Sequence, residues 1–372
     1  MDEQSLLDYL QLSFCDGIGP LTFQNLLGHF SHPGKVLRAS DSELRSITGI
    51  GTKTIDAIRS SPSIRPRMKD QIKICQDADI RIIPLGTEYY PHPLSHIPAA
   101  PPILFCQGNL SLFDCRWSTE TAIALVGTRQ ATQYGLHTAA NLTRQLVADG
   151  FITVSGLARG IDRQVHQTTL ENQGTTIAIL GSGLLRVYPG EHQGLAHQIR
   201  KQGLLISEVF PSESPHSRLF PRRNRIISGL TMGVIVIEAA IRSGALITAR
   251  HAMEQNREVM AVPGLIDTPA AAGCHKLIKD GAQLVESVDD IYEALEHTWA
   301  SRPAGFEQLQ PLPNLSPEQQ QIYDLVPHEV TSIDLLPRPD PYSMPQLLAT
   351  LTALELKHLI RRPSGSTVQR IG

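Results

Sequence analysis

The chain has 372 residues, five cysteines and a net charge of −3, with 33 Lys and Arg against 36 Asp and Glu. The length predicts two or three domains, and the slightly negative charge excludes a globally basic, histone-like binder of nucleic acid. The cysteines have the spacing of neither a zinc site nor a disulfide framework, so we expect no metal and a reducing, cytoplasmic location. The opening MDEQSLLDYL is acidic and has no long apolar run, which predicts neither a signal peptide nor a membrane span.

Residues 1–75 are predicted to form a small helical domain. Two glycine turns, Gly17-Ile18-Gly19-Pro20 and Gly49-Ile50-Gly51-Thr52, each precede an apolar helical pattern. This form is typical of helix-hairpin-helix (SAM-like) modules, which contact phosphates through backbone donors. The segment holds nine basic residues against eight acidic ones, so a packing role and a DNA-contacting role stay equally open.

Residues 76–297 alternate short apolar strands with helix-length segments. Most strand segments are near-continuous runs of Val, Ile, Leu and Ala, as expected for strands covered on both faces. The pattern predicts an α/β fold with a Rossmann-like, doubly wound and mostly parallel sheet, which binds ligands at the carboxyl ends of its strands. The predicted strands are Ile80–Leu85, Ile103–Cys106, Ala122–Val126, Ile152–Val154, Thr176–Leu180, Leu204–Ser207, Val234–Ile237 and Val259–Val262.

Glycine, hydroxyl and arginine residues recur directly after these strands. Glycine lets a backbone approach a ligand closely, and hydroxyls and amides can donate to phosphate oxygens. Because the carboxyl ends of parallel strands meet at one edge, we expect these residues to converge on one anion-binding crevice. The candidates are Gly127, Thr128 and Arg129, then Gly156, Arg159 and Gly160, and further along the chain Ser182 and Ser243.

The most basic stretch follows, since residues 216–250 hold six arginines against one acidic residue. We predict a helix that begins at Pro221 and ends near Gly229, so that its dipole also favours anions beside the first-turn arginines. No acidic residue between Arg218 and Arg225 neutralises this charge, and the alternative to an anion site is a solvated basic turn or an internal salt-bridge network. Phe220 beside the arginines is a candidate for base stacking or, equally, for the core. The first-turn arginines are Arg222, Arg223 and Arg225.

Other chemistries leave weaker signals. A dinucleotide fingerprint at Gly181-Ser182-Gly183 is incomplete because Arg186 stands where its third glycine belongs, and no Gly-x4-Gly-Lys phosphate loop occurs. We therefore expect no cofactor. Asp162 and His166 lie one helical turn apart, a spacing that fits a general base but more ordinarily a helix cap by Asp162 and a partly buried His166. No catalytic residue is assigned.

Taken together, the motifs resemble the DprA/Smf family of DNA-processing proteins. The resemblance covers residues 80–296, in matching order and spacing. It is carried by ALVGTRQATQYG, SGLARGIDRQVH, AILGSGLLRVYPGEH, LISEVFP, FPRRNRIISGL, VIEAAIRSGALITARHA, AVPG and GCHKLIKDGAQLV.

This resemblance implies a protein that binds and protects single-stranded DNA without sequence preference, helps to load the RecA recombinase during natural transformation, and has no catalytic activity. It implies phosphate contacts at the glycines and arginines named above, and a homodimer. The alternative is a Rossmann-like enzyme that cleaves nucleoside monophosphates, with Glu238 as its only candidate base. The implied dimer-interface residues are His275, Ile278 and Leu284.

The remaining residues predict a linker and a third domain. Residues 298–316 are rich in proline and lack periodicity, which is typical of a linker. Residues 317–372 are predicted to form a helix from Pro317, a helix over Met344–Arg361 and a terminal hairpin, which indicates a winged-helix-like domain. Five basic residues against six acidic ones in residues 315–372 favour packing or protein contact over duplex binding.

Overall fold

The computed structural model describes residues 1–109, 112, 122–295, 316–327, 331–336, 343–356, 360–364 and 366–370. The chain divides into two compact units, Met1–Ser301 and Arg302–Gly372. Apart from Ser316, the predicted linker lies outside the described residues. In the described part of the chain, no helix combines the length and the apolar character that crossing a membrane requires.

The first unit begins with helices that pack around the two predicted glycine turns. Gly17 and Gly49 have φ angles of 77° and 87°, which glycine adopts without strain. The helices that follow begin at Pro20 and Thr52, as the turns predict. These helices are α1 (Glu3–Ser13), α2 (Pro20–Phe30), α3 (Pro33–Arg38), α4 (Asp41–Arg45), α5 (Thr52–Ser60) and α6 (Arg65–Asp77).

The N-terminal helices and the sheet share one core. Phe14, just after α1, stacks on Phe210 with ring centres 3.8 Å apart, and Phe210 follows a sheet strand. The boundary predicted near residue 75 stays a prediction, because both segments belong to the same compact unit.

Nine strands form the sheet of the first unit, in the order β1-β2-β6-β5-β4-β3-β7-β8-β9. Strands β3 to β9 pair in parallel, whereas β1 pairs with β2, and β2 with β6, antiparallel. The strands are β1 (Arg81–Pro84), β2 (Ile103–Gly108), β3 (Ala122–Gly127), β4 (Ile152–Ser155), β5 (Thr176–Ile179), β6 (Leu204–Ser207), β7 (Gly233–Glu238), β8 (Glu258–Ala261) and β9 (Gln283–Leu284). The predicted α/β, mostly parallel sheet is therefore confirmed, with all eight predicted strands present.

The ninth strand, β9, was not predicted, because Gln283–Leu284 is too short and too exposed to leave an apolar run. The central strands are buried on both faces. In β3, for example, Ala124 belongs to one core cluster and Leu125 to another, because successive side chains point to opposite faces of a sheet.

Helices cover both faces of this sheet. They are α7 (His92–Ser95), α8 (Gln133–Ala148), α9 (Ile161–Glu171), α10 (Gln193–Gln202), α11 (Leu219–Gly229), α12 (Ala245–Glu254), α13 (Ala272–Lys279) and α14 (Val288–Leu295). Helix α11 begins at Leu219, two residues before the predicted start at Pro221, and its arginines lie in the first two turns.

Strand order reverses between β3 and β7. From β3 the chain moves outward through β4, β5 and β6, and it then returns to place β7 on the other side of β3. Such a reversal opens a crevice at the carboxyl ends of the two strands, because their following connections diverge to opposite faces.

The second unit has its own apolar core, in which Leu347, Leu351 and Leu354 pack with Ile360 and Val368. The predicted terminal hairpin is present as two antiparallel strands. The second helix ends at Leu356, short of the predicted Arg361, because residues from Ile360 onward pair as a strand. The elements are α15 (Pro317–Leu325), β10 (Thr331–Ser332), α16 (Met344–Leu356), β11 (Ile360–Ser364) and β12 (Thr367–Arg370), with sheet order β10-β12-β11.

Candidate nucleic-acid interface

A cavity of about 850 Å³ occupies the crevice between the carboxyl ends of β3 and β7. Its walls include residues 126–130 at the end of β3, most of residues 240–248 after β7, and the start of α11. A crevice is therefore present at the reversal of strand order, where part of the predicted residues meet, and its binding of anions stays a prediction. Six of the predicted contact residues line it: Gly127, Thr128, Arg129, Phe220, Arg223 and Ser243.

An aromatic and cationic group lies at this crevice. The guanidinium carbon of Arg129 lies 5.3 Å from the ring centre of Phe220, and Tyr188 packs against the same ring at 5.6 Å. A Cβ at Gly181 would come within 2.6 Å of the Phe220 ring, so this glycine admits the ring. Phe220 is half-buried and lines the crevice, so part of this side chain faces the opening.

The crevice is positively charged. Three arginines line it, Arg129, Arg223 and Arg242, against one carboxylate, Asp162. Arg129 and Arg242 are exposed, and among the described residues neither has a carboxylate within ion-pair distance. Their donors are therefore available to an anionic ligand.

Arg223 is buried beneath the crevice, contrary to the expectation of a solvent-facing phosphate ligand. Its Nη1 donates to the backbone carbonyls of Gly156, at 2.6 Å, and of Ile179. A Cβ at Gly156 would come within 2.4 Å of this guanidinium, so glycine there makes room for arginine, not for a ligand. Burial lowers the pKa of Arg223 to about 10, with Asp162 opposing that shift.

Asp162 is the matching buried carboxylate. Its Oδ2 accepts from the amides of Gly156 at 3.1 Å and Ala158 at 3.3 Å. Burial raises the pKa of this carboxyl, while Arg223 and the two amides lower it. Both residues hold the loop after β4 by hydrogen bonds to its backbone, and their opposite charges attract each other without an ion-pair contact.

The expectation that no acidic residue neutralises the arginines of α11 is wrong. Glu208, directly after β6, is buried and pairs with Arg225 at 2.7 Å and with Arg222 at 3.0 Å. Arg225 is itself buried and also donates to the Ala99 carbonyl. Neither arginine lines the crevice.

Four further candidates lie away from the crevice surface. Arg159 is exposed but pairs with Glu191, with two hydrogen bonds of 2.7 Å. Ser182 and Gly156 are buried. Gly160 has a φ of 72°, and a Cβ there would come within 2.3 Å of the Thr128 carbonyl. Gly156 and Gly160 are thus explained by close approaches within the protein, of Arg223 and of the Thr128 carbonyl respectively.

Asp162 and His166 both have structural surroundings, but Asp162 is not the predicted helix cap, because the N-cap is Gly160 and the Asp162 carboxylate accepts from the preceding loop. His166 is fully buried, and its Nδ1 lies 2.7 Å from Thr176 Oγ1. Burial lowers its pKa to about 3, so this imidazole stays neutral at physiological pH.

Glu238, the candidate base of the alternative enzyme, is buried and held by Thr132. Its carboxylate accepts from the Thr132 amide at 2.9 Å and from the Thr132 hydroxyl at 2.8 Å. It lines a separate cavity with Tyr134 and Leu265, not the crevice. This position does not favour the nucleotide-cleaving alternative.

Comparison with known proteins decides the family. The model of the DNA recombination-mediator protein A family matches residues 81–296, and that of the DprA winged helix domain matches residues 307–366. The chain belongs to the DprA family. The second unit is accordingly a winged-helix domain, as predicted.

Individual relatives agree with this assignment. Protein Smf of Escherichia coli is 36% identical over 317 residues, which cover 82% of this chain and 82% of that protein. The X-ray structure of DprA from Streptococcus pneumoniae is 32% identical with a TM-score of 0.60, and the match covers 77% of this chain and 97% of that one. DNA processing protein A from Helicobacter pylori, described with a single-stranded DNA binding mode, is 26% identical with a TM-score of 0.52, covering 59% of this chain and 97% of that one.

Tyr188 and Arg242 are among the crevice residues of this DprA-family chain that were not assigned from the sequence. Tyr188 was not selected, because the loop between β5 and α10 gives no local sign that it folds back onto Phe220. Arg242 was counted in the basic stretch but not assigned, although its place directly after β7 could have indicated it.

The residues implied for a dimer interface lie at one edge of the sheet. Leu284 is on the last strand, β9, and 37% exposed, whereas Ile278 on α13 is half-buried against its own core. His275 Nε2 lies 3.0 Å from the Gly264 carbonyl oxygen. Leu284 is therefore the residue of the three that is freest to contact a second chain.

Proposed function

We propose that this protein binds and protects single-stranded DNA in the crevice, without sequence preference, and delivers it to the RecA recombinase during DNA uptake. We further propose that it acts in the cytoplasm as a homodimer and without catalysis. The observation that carries the proposal is the pair of exposed arginines, Arg129 and Arg242, which have no ion pair among the described residues and lie with the half-buried Phe220 at the switch point of the sheet.

The chemistry of this crevice suits an unpaired strand. Single strands are held by cations along the backbone and by aromatic or guanidinium planes on which bases stack. A base in a duplex is already stacked, so it gains less from an aromatic ring. Phosphates and base faces are common to every nucleotide, and contacts to them carry no sequence preference. The single-stranded DNA binding described for the Helicobacter pylori protein supports the same conclusion.

The proposed role with RecA is supported by the family's description as recombination mediators. A mediator must hold a strand firmly enough to shield it and weakly enough to release it. Two free arginines on an open crevice fit that balance better than a fully enclosed site, because exposed charges bind in a salt-dependent and reversible way.

Fluorescence anisotropy tests the DNA-binding function directly. We expect a labelled single strand to bind more tightly than the same sequence as a duplex, and a free nucleoside monophosphate to compete weakly. Single strands of different sequence should bind alike, and affinity should fall as salt rises. Equal binding of duplex and single strand, or turnover of the nucleotide, would contradict the proposal.

The proposed dimer predicts that Leu284→Glu gives a folded monomer. The side chain is 37% exposed in one chain, so a single chain tolerates the charge, but burying it in an apolar interface costs several kcal/mol, about 3–5. Light scattering would report the halved mass, and circular dichroism the unchanged fold.

The matched control is Leu21→Glu, an exposed leucine on α2 that is far from β9 in the chain and 64% exposed. This variant should keep the wild-type mass. A Leu284→Glu protein that remains a dimer would reject this edge as the interface.

A further inference from the structure

Another cavity, distinct from the one that Glu238 lines, lies where the N-terminal helices meet the sheet. It is called the second cavity below. It measures about 230 Å³ and is lined by Phe14, Arg67, Phe210, Glu213 and Leu219 among others. A cavity of about 150 Å³ can bind benzene, so the volume of this cavity is sufficient for a planar ring.

The cavity shares a wall with the crevice. Leu219 and Phe220 are successive residues of α11, and they line the second cavity and the crevice respectively. Glu213 lines the second cavity, and Pro215 and Ser217 line the crevice. The segment 213–220 therefore lies between the two cavities.

A free cation stands over an aromatic ring at the second cavity. The guanidinium carbon of Arg67, on α6, lies 5.0 Å from the ring centre of Phe210, whose ring is stacked on Phe14. Arg67 is exposed, and in the described part of the chain no carboxylate lies within ion-pair distance of it. A guanidinium held in this way can bind a phosphate or present its plane to a base.

The segment between the crevice and the second cavity also carries a positive charge. Arg218 is exposed on the separating segment and also lacks an ion-pair partner among the described residues. Glu213, whose Oε1 lies 3.8 Å from His216 Nε2, is the carboxylate that lines the second cavity. Its oxygens can accept from the amino group of a base, so it does not exclude a nucleotide there.

We propose that this cavity is a second nucleotide subsite, in which Arg67 binds the single strand after it leaves the crevice across Arg218. The inference rests on the proposed function, because the occupant is the same strand. It assigns the N-terminal helical segment a direct part in binding DNA, through α6 and not through its glycine turns. A strand must be long enough to fill both openings before Arg67 contributes.

A length series separates this inference from the function on which it rests. Oligothymidylates from roughly 4 to 16 nucleotides span the site sizes of single-strand binders, and anisotropy gives the affinity of each. For the wild-type protein we expect affinity to rise again once the strand reaches the second cavity. In Arg67→Ala, short strands should bind as in wild type, whereas the longest should bind roughly tenfold more weakly, with a salt slope lower by about 0.7.

Lys69→Ala provides the matched control. Lys69 is an exposed cation on the same helix, two residues along and so on the opposite side of α6, and it does not line the cavity. This variant loses the same charge and should bind every length as wild type does. Thermal unfolding of both variants verifies that they are folded.

Each outcome bears on one claim. Absence of binding at every length in the wild type would overturn the proposed function itself. Wild-type binding with no difference between Arg67→Ala and Lys69→Ala on long strands would overturn the subsite and leave the function standing. An equal loss of affinity for short and long strands in Arg67→Ala would also overturn the subsite, since Arg67 would then act on the crevice or on the fold.

Discussion

Replacing Arg223 by methionine is expected to destabilise the protein by about 3–5 kcal/mol. The substitution removes a buried cation and leaves the Asp162 carboxylate buried without its opposite charge. The carbonyls of Gly156 and Ile179 also lose their donor, and an unsatisfied buried group costs about 1–3 kcal/mol. Urea unfolding, followed by circular dichroism, measures the difference.

The loss of stability in Arg223→Met should depend on pH in a defined direction. Burial already raises the pKa of Asp162, and removal of Arg223 raises it further. A carboxyl whose folded-state pKa exceeds its unfolded value contributes stability that is present below the unfolded pKa and lost as pH rises through the folded one. The difference in the free energy of unfolding between the wild type and Arg223→Met should therefore become smaller as the pH falls.

Arg222→Met is the matched control, since Arg222 is the adjacent residue of α11 with a side chain 47% exposed. Glu208 keeps its pair with Arg225 in that variant, so the expected loss is at most about 1 kcal/mol. An equal loss of unfolding free energy in Arg223→Met and Arg222→Met would show that burial of Arg223 near Asp162 does not stabilise the fold more than an exposed arginine does.

The joint change of Arg129 and Arg242 to alanine is expected to weaken binding of single-stranded DNA by on the order of 100-fold. Both side chains are exposed at the crevice and unneutralised in the described structure, so each can contact a phosphate. Loss of two such contacts should lower the salt dependence of the logarithm of affinity by about 1.4, given roughly 0.7 per phosphate on single strands. Affinity titrations at several salt concentrations measure both effects.

Arg159→Ala and Arg222→Ala are the controls for this prediction. Each also removes one exposed arginine from a strand-end or helix motif, but their guanidinium groups already pair with Glu191 and Glu208. We expect affinity within about threefold of wild type, because the charge they contribute to a ligand is largely offset. A loss as large as that of the double variant would mean that these pairs open to receive DNA.

The local pattern of apolar residues was sufficient to predict most of the fold. The apolar runs placed eight strands, and the residues after them identified the edge at which the crevice lies. Periodicity reports burial along a strand regardless of its partners, which explains this success. It is also why β9 was missed, since two exposed residues carry no such signal.

The candidate site was predicted less completely. Residues directly after β3 and β7 line the crevice as expected, because strand order alone brings those ends together. The roles of Arg159, Arg222 and Arg225 could not be read in the same way, because their carboxylate partners are distant in the chain. Arg225 pairs with a residue 17 positions away, and Arg159 with one 32 positions away.

The amino-acid sequence by itself determined the class of fold, the family and the concentration of arginine near one edge of the sheet, because these depend on residue type and spacing. Only the tertiary structure decided which arginines are free. Folding brings Glu208 and Glu191 to particular guanidinium groups, buries Arg223 beside Asp162 and leaves Arg129 and Arg242 exposed. The availability of a charge depends on its neighbours in space, and a linear pattern does not contain them.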